Sequence, residues 1–115
     1  MTIRRIQTVY VPAADVGRTA GFYEAILGTA PRFRDGDRWV QFAVAETQLA
    51  IASTEEAATG AAGVVIVFPT DDPGDHDMVV SRGAEFLDER DMGDHGRTRT
   101  YRDPAGTIFQ LYWRA

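Results

Sequence analysis

Arg102-Asp103-Pro104-Ala105-Gly106-Thr107-Ile108-Phe109-Gln110-Leu111-Tyr112-Trp113 is the stretch around which the rest of the chain is arranged. Asp-Pro-Ala-Gly is turn chemistry: proline presets φ, glycine accepts positive φ, and the aspartate side chain bonds the amides that follow it. The residues after Thr107 are β-branched, aromatic or long, as a strand prefers. Side chains alternate along a strand, so Ile108, Gln110 and Tyr112 share one face and Phe109, Leu111 and Trp113 the other. The second set reads as core. The first sets one amide in an apolar and aromatic row, and a buried amide needs partners, so the pocket is expected at Gln110.

Outward from that hairpin the chain repeats itself. Residues 6–12 read as a strand with Val9 and Val11 on one face and Thr8 and Tyr10 on the other. Asp15 is placed to cap a helix over 16–27, where Ala20, Tyr23, Ile26 and Leu27 follow helical spacing and Gly28 ends it. Strands follow over 31–34, 39–44 and 47–52, joined by Asp35-Gly36-Asp37 and Ala45-Glu46. Residues 54–62 have no apolar periodicity and read as a connector. Then comes a strand over 64–69, a helix from Asp71-Asp72-Pro73 to Arg82, and strands over 85–89, 97–102 and 107–113. Val9-Tyr10-Val11-Pro12-Ala13-Ala14-Asp15 lies over Ile66-Val67-Phe68-Pro69-Thr70-Asp71-Asp72 at an offset of 57 residues, half the chain. That is a duplication of a βαβββ unit. Its modules occupy about 1–53 and 63–115 of one domain spanning 1–115. The class is α+β: paired βαβββ modules forming curved mixed sheets, helices outside and a cup-like cleft inside. Pairing within the chain and pairing across a dimer use the same strands.

Composition narrows the chemistry. A chain of 115 residues suits one ordinary core. It has no cysteine, all twelve basic residues are arginine, and neither Ser53 nor Ser81 sits in a Gly-x-Ser-x-Gly elbow. Thiolate, disulfide and lysine Schiff-base chemistry are therefore excluded. A net charge of −5 argues against nucleic acid as a partner, and no apolar run is long enough to span a membrane. With no apolar signal core after Met1, the expected location is cytoplasmic.

The chain resembles the vicinal-oxygen-chelate superfamily of glyoxalases, bleomycin-resistance proteins and extradiol dioxygenases. The residues that carry the likeness are Val11-Pro12-Ala13-Ala14-Asp15, Arg18, Phe22-Tyr23 and Leu27-Gly28 in the first half. In the second they are Asp71-Asp72-Pro73, Arg82-Gly83-Ala84-Glu85-Phe86, His95-Gly96-Arg97 and Asp103-Pro104-Ala105-Gly106-Thr107. The resemblance implies paired modules, commonly a homodimer, with a small-molecule ligand in each sheet cup. Metal-using members take ligands from a module's first strand, His or Gln, and from its last strand, Glu. Carried across, the last-strand position is Gln110. The first-strand position is Val65 (or Val64) in the second module, and in the first Thr8, or Gln7 with one extra residue. Valine cannot ligate, and neutral amide oxygens are a poor set for a divalent ion. No cofactor is expected; Zn, Ni, Mn or Fe on Gln7 and Gln110 is the alternative.

The candidate ligand-binding residues are Thr8, Tyr10, Trp39, Gln41, Tyr101, Gln110, Tyr112 and Arg97, with aromatic rings to stack a planar ligand and amides to orient it. Filling of a closed sheet or a dimer interface explains several of them equally well. Arg97, Arg99 and Arg102 alternate with threonines and also suit an exposed edge strand. His95, in a glycine-flanked loop, is a candidate base at the pocket lip or a solvent-exposed loop residue; His76 and Glu46 read as exposed. The expected function is metal-free sequestration of an aromatic or natural-product ligand, as in bleomycin-resistance proteins. The alternatives are a metal-dependent glyoxalase-type lyase, isomerase or dioxygenase acting on vicinal oxygens, and a metal-free isomerase with His95 as base.

Overall fold

The computed structural model describes residues 3–72 and 74–114. The first half is β1 (Thr8–Ala13), α1 (Val16–Leu27), β2 (Phe33–Asp35), β3 (Trp39–Val44) and β4 (Thr47–Ser53). The second is β5 (Val65–Pro69), α2 (Asp75–Ser81), β6 (Glu85–Asp91), β7 (Arg97–Arg102) and β8 (Ile108–Trp113), with a short 3-10 turn at Gly93–His95 before β7. All eight strands form one mixed sheet in the order β2-β3-β4-β1-β5-β8-β7-β6. Within each half the first strand runs parallel to the last, β1 beside β4 and β5 beside β8. The halves meet where β1 pairs antiparallel with β5, Val9 opposite Ile66. The two modules thus pair within one chain, and the order on one side of that junction mirrors the other.

Local chemistry accounts for the ends of the elements. Asp15 caps α1 by accepting the Arg18 amide at 3.0 Å, and Gly28 closes the helix at φ 68°. In the turn before β8, Asp103 Oδ1 accepts the amides of Ala105 and Thr107, each at 2.9 Å, while Gly106 takes φ 91°. The second helix is shorter than the 71–82 expected, starting at Asp75. Its approach is a side-chain-held turn, with Asp72 Oδ1 accepting the Gly74 amide at 2.8 Å and Thr70 Oγ1 accepting the Asp72 amide at 3.1 Å. Such local bonds offer the backbone an alternative to helix. Pro73, expected in the helix's first turn, lies outside the described residues.

Apolar side chains are buried on both faces of the sheet. Behind it, Ala13, Val16 and Ala20 from β1 and α1 pack on Val40, Phe42 and Ile51. On the other face Tyr10, Ala50, Ala52, Val65, Val67 and Ile108 form a second cluster, covered by Ala57, Ala58 and Ala61 of the connector. The division of β8 into a pocket face and a core face is therefore too simple. Ile108 shares the face of Gln110 yet lies at 5 % exposure under the connector, while Trp113 is only half-buried, with the Arg99 guanidinium 4.8 Å over its ring.

The arginines of β7 need a second correction. β7 lies between β8 and β6, and β6 forms the edge. Arg99 meets Glu89 at 2.7 Å, Arg102 meets Glu85 at 2.9 Å, and Arg97 meets Asp91 at 3.2 Å and Glu89 at 3.6 Å. They tie β7 to its outer neighbour, rather than guarding an edge.

Candidate functional site

A cavity of about 1100 Å³ lies between the halves, and side chains from both line it. The first half contributes Thr8 and Tyr10 from β1, Trp39 and Gln41 from β3 and Gln48 from β4. The second contributes Val67, Thr98, Thr100, Gln110 and Tyr112, with His95 at the loop before β7. Strand alternation explains the selection: Thr8 is paired with Gln48 on one side and Val67 on the other, and Val67 is paired with Gln110. Four neighbouring strands thus present Gln48, Thr8, Val67 and Gln110 side by side.

Of the residues named from the sequence, Gln7, Thr8, Tyr10, Trp39, Gln41, Gln110, Tyr112 and His95 all line this cavity. Tyr101 and Arg97 are not among its lining residues. On β7 it is Thr98 and Thr100 that line the cavity, so alternation puts Arg97 and Tyr101 on the opposite face. There Tyr101 is fully buried, stacks on Phe109 at 5.1 Å and bonds His76 Nδ1 at 2.9 Å. His76 is accordingly half-buried, not the exposed residue expected, whereas Glu46 is exposed.

Gln110 has the partners that its burial demands. Its Oε1 accepts from Tyr10 Oη at 3.2 Å and its Nε2 donates to Thr100 Oγ1 at 2.9 Å. Tyr10 Oη in turn accepts the Ala58 amide at 2.9 Å, which joins the connector to the cavity floor. Burial pushes the Tyr10 phenol up to about 12, despite the lowering by the Ala58 amide and Arg90, so it stays protonated. Trp39 packs against Tyr10 with ring centroids 5.3 Å apart and donates Nε1–H to Gln41 Oε1 at 2.9 Å. Tyr112 donates to the His95 carbonyl at 2.7 Å and accepts from Arg114 Nε at 3.0 Å. His95 itself is exposed at the lip.

The connector contributes residues that no sequence pattern singles out. Glu55, Glu56, Ala57, Ala58 and Thr59 all line the cavity. Glu56 pairs with Arg38, which precedes β3, and with Arg90 of β6 at 3.2 Å, so one carboxylate ties the connector to both halves. The hydrogen bonds from Arg38 hold that carboxyl below its usual range, helped by Arg90 and opposed by partial burial. Thr59 Oγ1 donates to Asp88 of β6 at 2.7 Å. The only sequence sign was an acidic pair ahead of small residues, and its partners are distant along the chain.

The positions expected from the sequence to hold a metal's ligands are Thr8 or Gln7, Val65 or Val64, and Gln110. Val65 is fully buried and has no donor, and both amide atoms of Gln110 are engaged by Tyr10 and Thr100. Among the described residues no three His, Asp or Glu side chains are grouped to hold an ion. The donor set at these positions does not fit a divalent metal.

Two βαβββ halves joined through their first strands, with a mixed polar and aromatic cavity between them, define a class, and the sequence matches it: the glyoxalase-like domain family matches residues 8–112. The chain belongs to that family, within the vicinal-oxygen-chelate superfamily. Solved structures agree on the fold. A glyoxalase/bleomycin resistance protein/dioxygenase superfamily member from Vibrio splendidus superposes with TM-score 0.70 at 15% identity, covering 95% of this chain and 97% of its own. A methylmalonyl-CoA epimerase of Streptomyces coelicolor gives 0.76 at 20%, covering 99% and 96%. A Legionella pneumophila protein described as an NAD-dependent benzaldehyde dehydrogenase gives 0.78 at 17%, covering 94% and 98%. No curated protein matches the chain in sequence. Among the described residues no helix is long and apolar enough to cross a membrane.

Proposed function

We propose that the chain binds a small organic molecule in the cavity between its halves, with Trp39 and Tyr112 as aromatic walls. The observation that carries this reading is the polarity of the deep residues. Thr8, Tyr10, Thr98, Thr100 and Gln110 are all buried to within 8% exposure, yet they are hydroxyls and an amide that stay neutral near pH 7. Such groups orient a ligand by hydrogen bonds and are poorly suited to moving its protons. In this reading the eight strands curve into a cup around the ligand, a single domain acts without a resident metal, and two copies associate in the cytoplasm. Exposed Phe22 and Ile26 on α1 support the association. Sedimentation at micromolar concentration tests the dimer.

A second reading has its own support: a glyoxalase-type lyase, isomerase or dioxygenase. The fold comparisons lean this way, since the named relatives include an epimerase. His95 at the lip is then the candidate base, while a metal-dependent form would need Gln7 and Gln110, with a ligand from a partner subunit, to hold an ion that polarises vicinal oxygens. Elemental analysis after incubation with Zn²⁺, Ni²⁺, Mn²⁺ or Fe²⁺ separates the readings. About one metal per chain surviving desalting would replace the first reading with the metal-dependent one. Turnover lost in His95→Ala with ligand binding intact would establish the metal-free isomerase. Quenching of Trp39 emission by aromatic compounds, without turnover, is the outcome expected of a binding protein.

A further inference from the structure

Gln48 was not singled out by any motif, yet its place in the cavity is distinctive. It is the last of three side chains in series: Trp39 Nε1 donates to Gln41 Oε1 at 2.9 Å, and Gln41 Nε2 donates to Gln48 Oε1 at 3.3 Å. Chemistry sets the direction of this series. An indole N–H can only donate, so the Gln41 atom facing it must be the carbonyl oxygen. The Gln41 nitrogen then faces Gln48, which must answer with its own oxygen. What remains is Gln48 Nε2, carrying two N–H groups, in the lining of the cavity and with no hydrogen bond to any described residue. Gln110 differs, because both of its amide atoms are engaged within the chain.

We propose that Gln48 is a specificity-determining residue whose free N–H groups select a ligand bearing an oxygen acceptor, with the polarity imposed by Trp39 through Gln41. The inference rests on the cavity-binding reading above and names its ligand class: an aryl carboxylate or aryl carbonyl compound, its ring against Trp39 and its oxygen on Gln48. Arg32 favours the carboxylate. Its backbone N–H donates to the Gln41 backbone carbonyl at 2.8 Å, it is among the residues lining the same cavity, and it forms no ion pair among the described residues. A ligand presenting only donors would leave the Gln48 amide facing like groups, and an unmet donor in a partly desolvated site weakens binding.

The test uses two probes of equal ring size and opposite polarity, benzoate and benzylamine. Binding is followed by NMR on the full ¹⁵N-labelled chain, at the Gln48 side-chain amide and the Trp39 indole. Benzoate is expected to shift both signals and to bind at least about tenfold tighter than benzylamine. Gln48→Glu keeps an oxygen for Gln41 Nε2 but replaces the donor with an acceptor, so the ranking should invert. Gln48→Leu should lose the preference without inverting it, and Trp39→Phe, which frees Gln41 to turn its amide, should shrink it to about twofold. An unchanged ranking in Gln48→Glu, with the fold intact by its amide spectrum, overturns the proposal and leaves the cavity reading standing. If neither probe nor a wider fragment set shifts any cavity signal, the cavity reading falls and this inference with it.

Discussion

The two halves share one plan and fill it differently. Behind the first half, α1 is twelve residues long and presses Val16 and Ala20 onto Val40, Phe42 and Ile51, all apolar and buried. Behind the second, α2 has seven residues, and His76 reaches Tyr101 and Phe86, a polar aromatic contact with rings 5.8 Å and 5.0 Å away. The outer strands differ in the opposite sense. β2 is three residues long and wholly exposed, whereas β6 is seven residues long and is tied to β7 by arginine–carboxylate pairs. A duplicated backbone therefore does not need a duplicated interior. One half is held by hydrophobic burial under a helix, and the other by aromatic stacking and a strand ladder. Ion pairs on an exposed edge add little each, so the first half should carry more of the stability.

The largest break in that comparison is expected from Phe42→Ala, which empties a fully buried site and should cost about 3–5 kcal/mol in urea unfolding. Gly96→Ala comes next. Gly96 sits at φ 94°, and an added Cβ would lie 2.7 Å from the Trp113 carbonyl and 2.8 Å from the Tyr112 hydroxyl. A loss of about 1–3 kcal/mol should appear together with a shifted Tyr112 signal, because the same loop holds the His95 carbonyl that Tyr112 bonds.

Alkaline pH sharpens the comparison, since each half buries one tyrosine. Burial raises both Tyr10 and Tyr101 to about 12 from 10.0; for Tyr101 the Arg99 charge offsets part of the rise. The unfolded chain then loses these protons first, so stability holds up to pH 10 and falls between pH 10 and pH 12. The fall should be at most roughly 3 kcal/mol per tyrosine. Tyr10→Phe or Tyr101→Phe should each halve that slope in denaturation series at stepped pH. At neutral pH, Tyr101→Phe should cost only about 1 kcal/mol, well below Phe42→Ala, and equal losses would contradict the contrast between the halves. The smallest global effect is expected from Glu56→Gln. It weakens the tie from the connector to Arg38 and Arg90, and faster hydrogen exchange at the Ala58 amide should reveal it with little change in midpoint.

Much of this was readable along the chain. Asp15, Gly28 and the Asp103-to-Gly106 turn act within a few residues of themselves, so their caps and turns follow from local chemistry. Alternation along β1, β3 and β8 named Thr8, Tyr10, Gln41, Gln110 and Tyr112 as one set because period two is a property of any strand. The same rule, applied to β7, would have separated Thr98 and Thr100 from Tyr101 and Arg97, but only once one face of that strand was tied to Gln110. That tie is a cross-strand pairing, Thr100 beside Gln110.

What the sequence by itself determined is the duplicated βαβββ plan, its family, and the neutral and aromatic side chains that the strands turn into the cavity, since these depend on residue type and short-range order. Tertiary structure alone decided that the modules join within one chain through β1 and β5, and that the connector roofs the cavity by way of Glu56 and Ala58. It also decided that the N–H groups of Gln48 meet no acceptor among the described residues, while the amide of Gln110 is engaged at both ends. The physical reason is that strand pairing and the direction of a hydrogen bond depend on which distant groups meet, and no local pattern records that meeting.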